Sequence, residues 1–97
     1  MHVIRPEPLE AFWGEYPDAE GPLRAWLDTV IEARWENAAE VKTIYATASM
    51  VGNRRVVFNV GGNKYRLVVK ISYKTKVVFV RLLGTHAEYD EIDVTKI

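Results

Sequence analysis

Leu9, Phe12, Trp13 and Tyr16 recur at i, i+3, i+4 and i+7, the spacing that lines one side of a 3.6-residue helix. Pro6 suits the start of that helix, where a missing N–H costs nothing, and Pro17 closes it. A second stripe, formed by Leu23, Trp26, Leu27, Val30, Ile31 and Trp35, predicts a further helix that begins between Asp18, a serviceable N-cap, and Pro22. Two amphipathic helices joined by so short a break bury their stripes by packing together as a hairpin. Ahead of them, Val3 and Ile4 read as a short strand. The segment 37–53 has no sustained period: Val41, Ile44 and Tyr45 allow one more helical turn, with a loop from Ala46 to Asn53.

From Arg54 the period changes to two. Val56, Phe58 and Val60 alternate with Arg55, Val57 and Asn59, which predicts a strand over 54–60. Gly61-Gly62-Asn63 tolerates positive φ and turns the chain into a second strand over 64–73. Lys74-Thr75 turns it again, into a third strand over 76–83. The middle strand sorts Tyr65, Leu67, Val69, Ile71 and Tyr73 onto one face and Lys64, Arg66, Val68, Lys70 and Ser72 onto the other. With the turn at Lys74-Thr75, Phe79 lies opposite Lys70 and Arg81 opposite Val68, so Arg81 shares a face with Arg66 and points away from Val78, Val80 and Leu82. The expected sheet has one buried face and one cationic face. A short helical turn over 85–90, capped by Thr85, follows, and the last residues are expected to be loose. The predicted class is α+β: an N-terminal helical hairpin on one face of a small antiparallel sheet, in one domain spanning 1–97.

Composition narrows the chemistry. Apolar types make up 48% of the 97 residues, which argues for a packed core. No cysteine is present, which removes disulfides, Cys-based zinc sites and thiol nucleophiles and fits a reducing cytoplasm. The N-terminus shows no apolar signal core, and no apolar run approaches the roughly 20 residues of a membrane span. A membrane location is not expected.

The formal net charge is zero, yet the charges are sorted. No acidic residue lies between Glu40 and Glu88, while Lys42, Arg54, Arg55, Lys64, Arg66, Lys70, Lys74, Lys76 and Arg81 are all basic. Solubility alone is served by mixed signs, so a long acid-free stretch on a sheet points to a polyanion such as RNA. Arg66 and Arg81, on one open face, offer paired charge-assisted donors to a phosphodiester. His86 can exchange a proton near neutral pH, and Tyr89 can stack on a base or orient a phosphate. Asn63, Lys70, Arg54, Arg55, Lys74 and Lys76 are the further candidate RNA contacts. Gly61-Gly62-Asn63-Lys64 reads as a hairpin turn rather than a nucleotide loop. No metal site or cofactor is expected, because the basic half lacks carboxylates and the chain has only two histidines.

Three strings then add a resemblance: Val57-Phe58-Asn59-Val60-Gly61-Gly62-Asn63-Lys64-Tyr65-Arg66-Leu67, Val80-Arg81 and Gly84-Thr85-His86-Ala87-Glu88-Tyr89-Asp90. Together they resemble the HigB toxin family. Met1-His2-Val3-Ile4, Tyr16-Pro17-Asp18-Ala19 and Pro22-Leu23-Arg24-Ala25-Trp26 are similar to that family too, so the resemblance covers nearly the whole chain. It implies a RelE-like fold and cleavage of messenger RNA on the translating ribosome, with the RNA's own 2′-hydroxyl as nucleophile. It also implies a HigA-like helix-turn-helix antitoxin, which alone contacts operator DNA. On this resemblance Arg66 and Arg81 are the phosphate and transition-state contacts, and His86, Lys64 and Tyr89 compete for the proton-transfer roles. Two alternatives remain, a ParE-like toxin directed at gyrase and a non-enzymatic RNA-binding module.

Overall fold

The computed structural model describes residues 1–62 and 64–97. Its elements are β1 (His2–Ile4), α1 (Glu7–Glu15), a 3₁₀ turn (Pro17–Ala19), α2 (Glu20–Glu32), α3 (Ala38–Ile44), β2 (Ser49–Val51), β3 (Arg55–Val60), β4 (Tyr65–Ser72), β5 (Val77–Thr85), α4 (His86–Asp90) and a last 3₁₀ turn (Val94–Lys96). The strands form one sheet in the order β1-β5-β4-β3-β2. β1 runs parallel to β5, and the other neighbours are antiparallel.

The helical hairpin forms as its stripes require. Leu9 and Phe12 of α1 and Leu23, Trp26 and Val30 of α2 are buried. Arg24 bridges the pair, its guanidinium 4.9 Å from the Trp13 ring centre and its Nε 2.8 Å from Glu20. α2 ends sooner than its stripe suggests, because Ala33 turns extended at φ −73°, ψ 154°. The Met1 amino group then donates to the carbonyls of Val30 and Ile31 at 3.2 and 3.3 Å, occupying acceptors that a helix end leaves open. Trp35 consequently lies outside the helix, though it is still buried, while Ile31 is 52% exposed. Within 37–53 the extra helical turn is α3, capped by the Asn37 side chain, which accepts from the Glu40 N–H at 3.1 Å. The expected loop after it contains a strand, β2.

On the sheet the alternation holds. Val56, Phe58, Val60, Tyr65, Leu67, Val69, Ile71, Val78 and Val80 join the core beneath the helices. Phe58 sits at its centre, edge-on to Trp26 at 5.5 Å and to Tyr45 at 5.1 Å. Gly61 and Gly62, at φ 62° and 71°, carry the turn between β3 and β4. Arg54 is not in the strand: with Asn53 it makes the left-handed turn between β2 and β3, at φ 64° and 60°.

Three expectations about the other face need correction. Arg81 does not lie opposite Val68. Val80 pairs with Val69 and Leu82 with Val68, so Arg81 is the extra residue of a β-bulge. After the bulge Leu82 moves to the second face and Leu83 to the core side. Nor is the second face wholly cationic. Val57 and Val68 are buried there with Val94, and Val51, Leu82, Tyr89 and Ile97 pack around them. An apolar row on the outer face would otherwise stand in water. The chain after α4 covers it and is therefore not loose.

Candidate active site

β4 and β5 carry the site. Arg66 lies in register between Asn59 on β3 and Gly84 on β5. It is half-buried, with one guanidinium N–H donating to the Tyr65 carbonyl at 3.3 Å. Gly84 offers no side chain to crowd it. Arg81, the extra residue of the bulge between the Val69–Val80 and Val68–Leu82 pairs, is exposed.

His86 opens α4, one residue beyond the pair Tyr65–Thr85. The junction is held from several sides. The His86 backbone N–H donates to the Lys64 carbonyl at 3.2 Å. Thr85 Oγ1 accepts from the Glu88 N–H at 3.3 Å, and Glu88 Oε1 accepts from the Thr85 N–H at 3.0 Å, a reciprocal capping box. The hydrogen bonds from Thr85, its backbone N–H foremost, hold the Glu88 carboxyl below the usual carboxylate range. On the His86 ring, Nδ1 is 2.9 Å from Asp90 Oδ2. Tyr89, between them, spends its ring against the Val57–Val68 cluster.

Lys64 turns the other way. Its Nζ is 2.8 Å from Asp18 Oδ2, and the Tyr65 hydroxyl donates to Asp18 Oδ1 at 2.6 Å. The Lys64 and Tyr65 hydrogen bonds hold the Asp18 carboxyl below its ordinary range. The same carboxylate, with help from desolvation, pushes the Tyr65 phenol up to about 12.

The remaining candidate cations are spread out. Lys70 is half-buried between Arg55 and Phe79 on the second face. Arg55 donates to the Asn53 carbonyl at 2.8 Å and, through Nε, to the Ile97 carbonyl at 3.1 Å, so its guanidinium ties down the covering segment. Lys76 donates to the Trp35 carbonyl at 3.0 Å and pairs with Glu36 at 2.9 Å, fastening the β4–β5 turn to the α2–α3 connection. Arg54 and Lys74 line a depression of about 390 Å³ with Ser72, Tyr73 and Thr75, at the end of β4 away from His86. Asn63 lies outside the described residues.

The structure thus places Arg66, Arg81 and His86 along the β4–β5 pair, from the mid-strand bulge at Arg81 through Arg66 to His86 just beyond Thr85. It turns the Lys64 ammonium toward Asp18, and it puts Arg54, Lys74 and Lys76 elsewhere. Asp90 and Asp18 escaped sequence reasoning. The His86/Asp90 spacing of four was visible as a helical pair, whereas nothing local marks Asp18 as the partner of a residue 46 positions away.

A helical hairpin laid on one face of a five-stranded, mostly antiparallel sheet is a RelE-like toxin fold. Residues 19–92 match the HigB toxin family, described as the RelE-like toxic component of a toxin–antitoxin system, and the chain belongs to that family. It is similar to the mRNA interferase HigB of Escherichia coli O6:H1 (strain CFT073), 29% identical over 94 residues, covering 95% of this chain and 91% of the relative. It is also similar to the mRNA interferase toxin HigB of Escherichia coli K12, 27% identical over 92 residues, covering 93% and 88% of the two chains.

Proposed function

We propose that this chain is an endoribonuclease that cuts messenger RNA on the translating ribosome, by metal-independent attack of the RNA's own 2′-hydroxyl. The observation that carries the reading is that Arg66, Arg81 and His86, two permanent cations and a proton-exchanging ring, all lie along the β4–β5 pair and its exit into α4. The names of the relatives, mRNA interferases, support the same substrate.

In this mechanism a base removes the 2′-hydroxyl proton and the 2′-oxygen bonds to the adjacent phosphorus. The bond from phosphorus to the 5′-oxygen breaks, and that oxygen takes up a proton. The products are a 2′,3′-cyclic phosphate and a 5′-hydroxyl. Extra negative charge builds on the phosphorane oxygens, where Arg66 and Arg81 supply fixed, planar, permanently charged donors. His86, Lys64 and Tyr89 are the candidates for exchanging the two protons. Lys70, further along the face, holds a neighbouring phosphate, and Arg54, Arg55, Lys74, Lys76 and Asn63 add sequence-independent attraction.

The chain works as one domain in the cytoplasm, where messenger is translated. Among the described residues no helix is long and apolar enough to cross a membrane. A HigA-like helix-turn-helix antitoxin binds the toxin, and operator DNA is reached only through it. Induction without the antitoxin should arrest growth and cut messengers inside translated regions. In purified reactions, a 2′-deoxy nucleotide at the cut position should abolish cleavage. Intact messenger with damaged or relaxed DNA would instead make the target gyrase and end the nuclease reading.

A further inference from the structure

We infer that His86 is the base that takes the 2′-hydroxyl proton, through Nε2, and that Asp90 is the positioning residue that fixes its ring for that task. The inference rests on the nuclease reading and assigns one proton within it.

A neutral imidazole carries one N–H and one bare nitrogen, and the hydrogen bond made by one nitrogen decides the state of the other. Here Nδ1 faces a carboxylate oxygen at 2.9 Å. A carboxylate only accepts, so Nδ1 keeps the proton and Nε2 is left as the acceptor. A free imidazole prefers the opposite tautomer, so without Asp90 the nitrogen available to substrate would more often carry a hydrogen.

The ring's origin is fixed independently. The His86 N–H is bonded to the Lys64 carbonyl, Thr85 and Glu88 close the capping box, and Tyr89 is packed on the second-face cluster. Asp90 therefore adds orientation about the side-chain torsions, on a helical turn that does not depend on it. The two competitors are otherwise engaged: the Lys64 ammonium by Asp18, and the Tyr89 ring by Val57 and Val68. A lysine ammonium also has no lone pair to accept with.

The test combines a spectroscopic readout with kinetics on the full chain. Long-range ¹H–¹⁵N spectra of the ¹⁵N-labelled protein, assigned by comparison with His86→Gln, should show Nδ1 protonated and Nε2 bare in the neutral ring. Asp90→Ala should reverse that tautomer, and Asp90→Glu should largely restore it. On messenger-programmed ribosomes, Asp90→Ala should lower kcat about ten- to a hundredfold with KM nearly unchanged, and Asp90→Glu should recover part of the loss. Both side chains are about half exposed, at 52% and 57%, so the melting temperature should hold in either variant. An unchanged tautomer in Asp90→Ala would overturn the positioning role. A reversed tautomer with cleavage untouched, or a His86→Gln protein that cuts normally, would overturn His86 as the base while leaving the nuclease reading intact. A parent protein that cuts no messenger would remove that reading and this inference together.

Discussion

The bulge at Arg81 allows its charge to be tested separately from its geometry. Before the bulge, β5 pairs Val80 with Val69; after it, Leu82 pairs with Val68. Deleting Arg81 joins Val80 directly to Leu82 and leaves a regular antiparallel ladder in which Val80 and Leu83 stay on the core side and Leu82 stays on the second face. Arg81→Ala keeps the bulge and removes only the guanidinium. Because the side chain is exposed, Arg81→Ala leaves no cavity and should change stability by no more than about 0.5 kcal/mol. The deletion straightens one strand and should stay within about 1–2 kcal/mol of the parent. Activity should respond differently: losing one preorganised donor to a phosphorane costs about 10²–10³ in rate, and both variants lose it. Arg81→Lys, which keeps a charge without the planar fork, should fall between the parent and Arg81→Ala. The assay is cleavage of messenger on programmed ribosomes beside a thermal melt of each protein. A folded Arg81→Ala protein that cuts within about threefold of the parent would take Arg81 out of the site, and a deletion variant that fails to fold would refute the register argument.

Further outcomes follow from the same geometry. Arg66→Ala should abolish growth arrest while the protein still folds, checked by induction and circular dichroism. Between pH 10 and about 12 the folded state holds the Tyr65 proton more tightly than the unfolded chain does. Stability should therefore decline as pH rises through that window, and a pH series of denaturant melts should show a smaller decline in Tyr65→Phe. Phe58→Ala empties the centre of the core and should cost about 3–5 kcal/mol by urea unfolding. Lys76→Ala should cost about 1 kcal/mol through the lost hydrogen bond to the Trp35 carbonyl, with cleavage weakened only modestly.

The two faces of the sheet were legible because alternation is a local property: Phe58, Leu67 and Val69 announce the core side by their neighbours alone. Helix ends were less so. The stripe through Trp35 continued past the point where Ala33 turns extended, because burial of Trp35 does not require it to be helical. β2 went unseen since Ser49, Met50 and Val51 are too few to show a period. The bulge left no trace, having neither glycine nor proline to mark it, and one unseen residue moved Leu82 and Leu83 across the sheet. In the site, the expected register of Arg81 failed at the bulge, while the local pair of His86 and Asp90 was there to be found. The long-range engagements of Lys64, Lys76 and Arg55, with partners 46, 41 and 42 residues away, are set by the fold and have no local signature. Charge counting alone therefore could not show that these cations also fasten the fold.

The parallel pairing of β1 with β5 joins His2 to Val77, the two ends of almost the whole chain. A nascent chain emerging from the ribosome can form the helical hairpin early, but β1 has no strand to lie beside until β5 has been made. Arg81 and His86 lie on that same strand and its exit, and Arg66 on the strand beside it. Contacts so distant in sequence are slow to form and late to be possible, so an incomplete product lacks both the closed sheet and the assembled site. The topology itself delays a working toxin until most of the chain has been synthesised.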